Sequence, residues 1–320
     1  IRRKNYKIGN QQLAAMNIAY LISVYTDAPQ LKRLVEALHP DAQFFIHVDK
    51  KSDIRPFTAI LHGDNIHYLP NRIHVHWGTI TQVDFQIALI QAALEHPQDF
   101  DYIFFLSGQD YPLWSVDRIN TWLQEQNGKE LLSGVCINTP QESFQQQQAL
   151  YQSFRPDFNF PLIGEIWNRK LGILYRKVMH LLNRRKKLTL TIDDEQWQLY
   201  KGADYWAISQ QLAQHILYTY QKYPEIRRYF SDSFAPSETM IQTIAFNSPQ
   251  WAAKCLLWEG EYPGLAALTP LHFIIYDPII KIMDESDYDT LINSGKMFTR
   301  KLVSGKSDRL VKLLHQDSQK

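Results

Sequence analysis

Residues 17–49 read NIAYLISVYTDAPQLKRLVEALHPDAQFFIHVD, and this stretch decides the fold class. Its two ends, NIAYLISVY and AQFFIHVD, are short and mainly apolar, which is typical of buried strands. Between them, the apolar residues of PQLKRLVEALH recur at the spacing of one helical face. A strand, a helix and a second strand in this order predict a βαβ unit with parallel strands.

The alternation of strands and helices continues further along the chain. DNIHYLP predicts a third strand, the sequence from about Thr81 to Glu95 predicts a helix, and DYIFFL predicts a fourth strand that runs into an SGQDYP turn. These elements predict a mostly parallel sheet, whose ligands bind beyond the carboxyl ends of the strands. Asp49 and Asp110 follow two such ends, so each is either a ligand contact or a cap or turn former.

Composition limits the class of protein. Of the 320 residues 45% are hydrophobic, and there are only 13 glycines and 15 prolines, so collagen-like and disordered chains are excluded. Thirty-four Lys and Arg against 33 Asp and Glu give a net charge of +1. We therefore expect no nucleic-acid partner, because the whole chain has no field that would attract one.

The two cysteines and the apolar runs indicate the compartment. Cys136 and Cys255 are too few for a disulfide framework or a four-thiolate zinc site, and their neighbours predict buried strands. The chain has no apolar run of about 18 residues, and residues 1–15 have no apolar signal segment. We therefore expect a cytoplasmic protein, with residues 1–15 outside the fold.

A basic amphipathic helix is predicted at residues 169–187. The segment RKLGILYRKVMHLLNRRKK has eight Lys and Arg, no acid, and leucines at helical spacing. One interpretation is a solvated surface helix that is packed by its leucines. The other is a patch that meets an anionic membrane surface or a phosphorylated or acidic acceptor.

Two segments near the C-terminus carry charged candidates. APSETMIQT predicts a helix start, with Pro236 leading and Glu238 in the first turn. Such an acid either stabilises the helix start or projects into a cleft as a general base. Arg300 and Lys301 point to opposite faces if their segment is extended, so one of them faces an anion such as a diphosphate or both are surface residues.

Taken in order, these segments resemble one family, the core 2/I-branching β-1,6-N-acetylglucosaminyltransferases (the Branch family) and their peptide O-xylosyltransferase relatives. The resemblance covers roughly residues 17–302 and is carried by AYLISVY, FFIHVDKKS, HWGTITQV, DYIFFLSGQDYPL, KGADYWAIS, APSETMIQTIAFNSP and DYDTLINSGKMFTRKL. It implies an α/β, GT-A-type, Rossmann-like domain over 16–320. The nucleotide-sugar-binding half is 16–135, the acceptor and catalytic half is 136–302, and 303–320 is a C-terminal tail.

The resemblance also implies roles for individual residues. Glu238 matches the family's general base, and Asp49 matches the contact to the uridine end of the donor. Lys301 matches the lysine that faces the diphosphate. The remaining donor-binding candidates are Val24, Asp110 and Trp258, together with Arg300, which stands in for a second basic residue of the family that has no clear match in PLHFIIYDPIIK. Among these, Asp110 orients the donor sugar or diphosphate, and Arg300 acts with Lys301 to neutralise the leaving group.

The activity that the resemblance implies is an inverting transfer from a UDP donor, UDP-GlcNAc first, to a hydroxyl of a saccharide or glycolipid. UDP-xylose and UDP-glucuronate are the alternative donors, and a non-catalytic sugar-nucleotide-binding protein is the alternative function. We expect no metal and no cofactor, because Gly108 stands two residues before Asp110 where an Asp-x-Asp motif has its first carboxylate. The absence of the anchor and disulfides of mammalian members fits a bacterial, cytoplasmic relative, peripheral at the inner face of the membrane. A NAD-dependent enzyme is disfavoured, since the first strand is not followed by G-x-G-x-x-G.

Overall fold

The computed structural model describes residues 5–8, 11–14, 16–126, 128–138, 144–276 and 279–318. The strands are β1 (Asn5–Ile8), β2 (Gln11–Ala14), β3 (Ile18–Val24), β4 (Gln43–Val48), β5 (Ile66–Tyr68), β6 (Tyr102–Ser107), β7 (Asp110–Pro112), β8 (Ser133–Cys136), β9 (Thr189–Ile192), β10 (Glu195–Gln198), β11 (Tyr200–Lys201), β12 (Ala207–Ile208), β13 (Leu256–Leu257), β14 (His272–Ile274) and β15 (Phe298–Arg300). The helices are α1 (Ala28–Glu36), α2 (Arg55–Ile60), α3 (Thr81–Leu94), α4 (Val116–Glu125), α5 (Gln145–Tyr151), α6 (Gly164–Leu181), α7 (Gln210–Lys222), α8 (Pro224–Phe230), α9 (Met240–Phe246), α10 (Pro249–Ala252), α11 (Tyr288–Ile292) and α12 (Asp308–Ser318).

The central sheet has five strands in the order β12-β6-β3-β4-β5. β3 lies in the middle and is parallel to β4 and β6, β5 is parallel to β4, and β12 is antiparallel on the outer edge of β6. The predicted α/β fold with a mostly parallel sheet is therefore confirmed. In this register Val24 pairs with Val48, and Ser23 pairs with Ser107, so the residues that follow the three strands meet at one edge.

Both faces of the central sheet are covered, because successive side chains of a strand point to opposite faces. Ala19 and Leu21 of β3 pack into a core that includes α3, whereas Tyr20 and Ile22 pack into a second core with Leu31 of α1. All of these side chains are almost fully buried, and burial of one as large as Leu21, Ile22 or Leu31 contributes about 1.5–3 kcal/mol. The unbroken apolar runs of the sequence thus correspond to strands that are buried on both sides.

The turn between β3 and α1 connects to the C-terminal region. Asp27 has a left-handed backbone (φ 61°), and its Oδ1 accepts a hydrogen bond from the backbone N–H of Gln30 at 3.2 Å, which caps α1. The same carboxylate accepts from the backbone N–H of Ser304 at 2.8 Å and from its hydroxyl at 2.5 Å. One aspartate therefore holds the segment that follows Arg300 and Lys301 against the carboxyl edge of the sheet.

A three-stranded sheet, β14-β15-β7, positions the C-terminal cations. β15 is antiparallel to β7, and Arg300 lies opposite Asp110 in the register. Beyond it, Leu310 and Leu314 of α12 are buried in a third core together with Tyr111. The segment 303–320, which the sequence presents as a tail, thus contains a helix that packs into the fold.

The basic helix differs from the prediction. It begins at Gly164 and ends at Leu181, whereas the sequence predicts 169–187. Two of its leucines do not pack against the protein, since Leu174 is 56% exposed and Leu181 is 84% exposed. Lys186, which follows the helix, is buried and ion-paired with Asp232, because a buried ammonium needs a counter-ion.

Peripheral features complete the description. β1 and β2 form a two-stranded antiparallel sheet of their own. Cys136 ends the buried strand β8, as the sequence predicts, whereas Cys255 precedes β13, an exposed strand, so that prediction is wrong; both cysteines are half-buried. No helix in the described part of the chain combines the length and the apolar composition needed to cross a bilayer.

Candidate active site

The site begins at the ends of β3 and β4, where Asp49 and Val24 lie. The backbone N–H of Asp49 donates to the carbonyl of Val24 at 2.9 Å, and its Oδ1 accepts from the N–H groups of Lys51 at 3.0 Å and Val75 at 3.3 Å. Lys51 Nζ is 3.7 Å from Oδ2. These bonds fix the carboxylate at the carboxyl edge of the sheet, the edge at which the ligands of parallel sheets bind.

The turn after β6 packs closely against Val24. A Cβ atom at position 108 would lie 2.7 Å from Val24 Cγ2, so only glycine fits here. The backbone N–H of Gly108 donates to the carbonyl of Ser23 at 2.9 Å. Gly108, which stands where a metal-binding motif would have its first aspartate, is therefore required by packing.

Asp110 lies beneath the site rather than at its surface. Its side chain is fully buried, Oδ1 accepts from Arg300 Nη1 at 2.9 Å, and Oδ2 lies 3.1 Å from His272 Nε2 and 2.7 Å from the backbone N of Ser107. Burial raises the pKa of Asp110, but His272 and Arg300 outweigh it and the net pKa is lowered. The structure thus shows Asp110 anchoring Arg300, and its contact with a donor stays a prediction.

Arg300 and Lys301 have different surroundings. The Arg300 guanidinium lies 5.4 Å from the ring centroid of Tyr205, and its Nε is buried without a hydrogen-bond partner among the described residues. Burial lowers the pKa of Arg300, but Tyr205 and Asp110 raise it and the net shift is upward. Burial and the neighbouring Arg300 and Lys306 lower the pKa of half-buried Lys301. An anion placed here would relieve the repulsion between these cations.

Glu238 lies in a 3₁₀ turn, Pro236–Glu238, directly before α9, so the predicted helix start is confirmed. The turn is held at two points: the N–H of Ala235 donates to the carbonyl of Gly78 at 3.1 Å, and the N–H of Gly202 donates to the carbonyl of Glu238 at 2.9 Å. A rigid backbone of this kind keeps the direction of the carboxylate constant.

The Glu238 carboxylate forms an ion pair with Lys201 of β11. Lys201 is 2% exposed, and its Nζ lies 5.6 Å from the ring centroid of Tyr151. Burial lowers the pKa of Lys201, but Glu238 and Tyr151 outweigh burial and the net pKa is raised. Lys201 therefore remains a cation beside Glu238, a partner that sequence reasoning missed.

A second carboxylate, Asp204, lies close to Glu238 in the loop between β11 and β12. Burial and the Glu238 carboxylate raise the pKa of Asp204 to about 6, against the opposing effect of Lys201. Its Oδ1 accepts a hydrogen bond from Gln86 Nε2 at 3.2 Å. Sequence reasoning missed Asp204, although KGADYWAIS carries it between two strands, where an acid could have been identified by the logic used for Asp49.

Two tyrosines connect the Glu238 and Arg300 groups. Burial and Glu238 raise the pKa of Tyr276 to about 12, while Arg300 and Lys201 act on the same phenol in the opposite direction. Tyr205 packs against Arg300 and has Asp204 and Tyr276 among the groups that influence its pKa. Glu238, the predicted base, and Arg300, the cation predicted for the leaving group, therefore both influence the pKa of the same phenol, that of Tyr276. We call the groups that act on this phenol one electrostatic neighbourhood.

Trp258 lies at the end of β13, in the sheet ordered β11-β8-β13. Its backbone N–H donates to the carbonyl of Gly134 at 2.8 Å, and its indole N–H donates to the carbonyl of Glu261 at 2.8 Å. The indole N–H is thus hydrogen-bonded within the protein, and 41% of the Trp258 side chain is exposed. An exposed ring held in place can contact a ligand, and the role of Trp258 near the sugar stays a prediction.

A cleft of about 390 Å³ opens next to Lys51, which pairs with Asp49. Lys51 lines it, as do His76, Trp77 and Thr79 of the segment whose Gly78 carbonyl holds the turn before Glu238. Opposite this segment, the cleft is lined by Arg155, Asp157 and the residues Glu165, Arg169 and Arg176 of α6. Lys51 connects the cleft to Asp49, and the segment around Gly78 connects it to the turn before Glu238, although neither carboxylate lines the cleft itself.

In the described part of the chain, a group that could hold a metal ion consists of His76 and Glu165, which line the cleft, together with His74. Their ligand atoms lie within 4.8 Å of one another. His76 Nδ1 is 2.7 Å from Asp157 Oδ1, which would leave Nε2 as the coordinating atom. Two imidazoles and a carboxylate suit zinc.

The fold and the site define an α/β protein that gathers acids and cations at the carboxyl edge of a parallel sheet. The profile of the Branch family, described as Core-2/I-Branching enzyme, matches residues 18–262, and the chain belongs to that family. It is 24% identical to human xylosyltransferase 2 over 241 residues, which are 73% of this chain and 25% of that protein.

Two further similarities extend this comparison. The chain is 26% identical over 137 residues to the zebrafish β-1,3-galactosyl-O-glycosyl-glycoprotein β-1,6-N-acetylglucosaminyltransferase 4, covering 41% of this chain and 32% of that one. Among solved structures, the galactosyltransferase LgtC matches with a TM-score of 0.38 at 12% identity, covering 94% of this chain and 95% of that one. The chain spans about a quarter of the length of the xylosyltransferases that it matches.

Proposed function

We propose that this protein transfers a sugar from a UDP donor to a saccharide hydroxyl, with inversion at the anomeric carbon. The observation that carries the proposal is the placement of Glu238, fixed on a rigid turn and ion-paired with Lys201, in the same electrostatic neighbourhood as Arg300. A base and a cation at one site are what a single displacement with an anionic leaving group requires. Membership of a family whose relatives are named as glycosyltransferases supports the same reaction.

The reaction proceeds in one step. Glu238 takes the proton of the acceptor hydroxyl while that oxygen forms a bond to C1 of the donor sugar. The bond between C1 and the β-phosphate oxygen breaks, and its electron pair leaves with UDP. Arg300, which Asp110 holds in place, and Lys301 stabilise the charge that develops on the diphosphate. Asp49, at the sheet edge, binds the uridine end.

Asp204 is the second candidate for the base. Its pKa of about 6 lies close to neutral pH, where a general base is most effective. Because Asp204 and Glu238 are close neighbours, they act as a coupled pair in which one carboxylate takes the proton and the other sets its affinity. Comparing the two single variants Glu238→Gln and Asp204→Asn assigns the proton transfer to one of them.

UDP-GlcNAc and UDP-xylose are the two leading candidates for the donor. The resemblance places UDP-GlcNAc first, whereas six of the related proteins are named as xylosyltransferases, so UDP-xylose has equal support. A relative from Arabidopsis is named as a β-glucuronosyltransferase, which keeps UDP-glucuronate as a third candidate.

Thermal shift with UDP and each of the three UDP-sugars tests the proposal, since a ligand that binds the folded state raises the melting temperature. We expect UDP to stabilise the protein and one UDP-sugar to be hydrolysed slowly or transferred. Stabilisation by UDP without hydrolysis or transfer of any donor would favour the non-catalytic alternative. Failure of every uridine compound to bind would refute the proposal.

We further propose that the reaction needs no metal ion. The carboxylate of the SGQD turn is fully buried, and both of its oxygens are engaged by Arg300, His272 and Ser107. A hard divalent cation requires several free oxygen ligands, and this turn does not offer them. In our proposal, the fixed charges of Arg300 and Lys301 take the place of the metal.

The exposed face of α6 supports a reaction at a membrane surface. Trp167, Leu174, Val178 and Leu181 are spaced to share one side of the helix, and each is at least 40% exposed. Lys170 and Lys177 lie beside this stripe, where long basic side chains can reach lipid headgroups. We propose that the stripe binds an anionic bilayer and brings the site to a glycolipid acceptor.

A further inference from the structure

The cleft beside the Glu238 turn contains three arginines that come from separate parts of the chain. Arg155 follows α5, and Arg169 and Arg176 lie two helical turns apart on one face of α6. All three line the same cavity of about 390 Å³. Guanidinium groups repel one another, so their convergence is unfavourable unless an anion lies between them.

Arg155 is held in position by groups that do not neutralise it. Its Nη2 donates to the carbonyl of Trp77 at 3.1 Å, and its guanidinium carbon lies 5.0 Å from the Trp77 ring and 5.3 Å from the Phe234 ring. Burial, followed by the charges of Arg176 and Arg169, lowers the pKa of Arg155. A fixed guanidinium with uncompensated charge is prepared to bind an oxyanion.

Among the residues that the structure describes, the two carboxylates that line the cleft, Asp157 and Glu165, lie next to His76 and form no ion pair with the arginines. Asp157 contacts His76 at 2.7 Å, and the nearest His76 nitrogen to Glu165 is 3.9 Å away. Across the described ranges of the chain, none of the three arginines forms an ion pair with a carboxylate. The cleft therefore holds a positive charge that the protein itself leaves unpaired.

We infer that this cleft binds a phosphate or diphosphate group that the acceptor carries, held by Arg155, Arg169 and Arg176. A phosphate presents several oxygens and can accept from more than one guanidinium, which a single carboxylate does less well. The inference deepens the proposed function and rests on it, because there the donor diphosphate belongs to Arg300 and Lys301. The cleft instead adjoins the turn of the base, where an acceptor must enter.

The two sides of α6 suggest two sources for the phosphate, one linked to a lipid and one soluble. The arginines lie on one side of α6, and the exposed apolar stripe lies on another. A lipid-linked saccharide phosphate would have its lipid in the bilayer and its phosphate in the cleft, with the sugar hydroxyl near Glu238. A soluble saccharide phosphate would use the cleft alone.

Calorimetric titration of pyrophosphate into the protein in the presence of saturating UDP tests the inference. With the donor site filled, we expect the wild-type chain to bind pyrophosphate. Removing the guanidiniums in the double variant Arg169→Ala/Arg176→Ala should weaken that binding about 10-fold for each arginine. The matched control Arg184→Ala/Arg185→Ala removes the same charge from two exposed arginines that follow the same helix outside the cleft, and it should bind pyrophosphate almost as the wild type does.

Three results would overturn the inference. One is the absence of pyrophosphate binding once UDP is bound, and another is an equal loss in both double variants, which would mean a general charge effect. The third is a loss of UDP affinity in Arg169→Ala/Arg176→Ala, which would assign the cleft to the donor. If the wild-type chain fails to bind UDP, the proposed function fails, whereas the pyrophosphate titration still decides the cleft.

Farnesyl diphosphate, titrated in the same way, separates the two sources. Binding tighter than that of pyrophosphate supports a lipid-linked phosphate, and equal binding supports a soluble saccharide phosphate. Malonate serves as the carboxylate probe. Malonate binding tighter than pyrophosphate binding would refute a phosphate site.

Discussion

The closeness of Asp204 and Glu238 predicts that Asp204→Asn stabilises the protein while lowering its activity. The pKa of Asp204 is raised from 3.8 to about 6, because burial and the Glu238 carboxylate disfavour its ionised form. A shift of about 2 units, at 1.36 kcal/mol per unit, corresponds to about 3 kcal/mol as an upper limit. Asparagine keeps an oxygen that can accept from Gln86 and carries no charge to repel Glu238.

The pH dependence follows from the sign of the shift. The folded state holds the Asp204 proton more tightly than the unfolded state, so ionisation costs stability as pH rises from about 4 to about 6. Above about pH 6 the whole cost is present in the wild type and absent in Asp204→Asn. Below about pH 4 both side chains are neutral, and the difference in the free energy of unfolding should vanish.

Urea denaturation at a series of pH values between about 4 and 8 measures this difference. Asp64→Asn, at an exposed aspartate of similar size, is the control and should show no such gain. A stability gain for Asp204→Asn that does not change with pH, or a loss at every pH, would refute the reasoning. Catalytic rates at neutral pH complete the test, since a residue whose removal stabilises the fold and lowers turnover serves the reaction.

Three further outcomes are expected. Glu238→Gln should lower kcat by about 10²-fold or more, while calorimetry shows an unchanged affinity for UDP. The control Glu195→Gln, at an exposed glutamate, should keep wild-type kinetics. Wild-type turnover in Glu238→Gln would show that another group is the base. Activity should survive exhaustive EDTA treatment, and complete loss that Mn²⁺ restores would overturn the proposal of metal independence. The double variant Leu174→Glu/Leu181→Glu should lose flotation with anionic vesicles at low salt; flotation equal to that of the wild type would exclude the apolar stripe as the contact.

Much of the fold was predictable because it depends on local patterns. The apolar runs of β3, β4 and β6 and the helical period of α1 and α3 agree with the structure to within a few residues. The position of Asp49 also followed, since the carboxyl ends of parallel strands meet at one edge. The turn that carries Glu238 was indicated by Pro236.

The surroundings of the candidate site residues were not predictable in this way. Asp110 is buried against Arg300, which is 190 residues away in the chain, and Glu238 pairs with Lys201, 37 residues before it. Local period and capping contain no information on which distant segments meet. The placement of Asp204 beside Glu238 has the same origin.

The amino-acid sequence by itself determined the parallel strands of the central sheet, the helices α1 and α3, the family resemblance and the residue types at the sheet edge, since each depends on neighbours along the chain. Only the tertiary structure decided that Asp110 is an anchor for Arg300, that a lysine and a second acid accompany Glu238, and that Leu174 and Leu181 of α6 face outward. The physical reason is that burial and charge pairing act through space. A side chain acquires its charge state and its role from groups that packing brings to it.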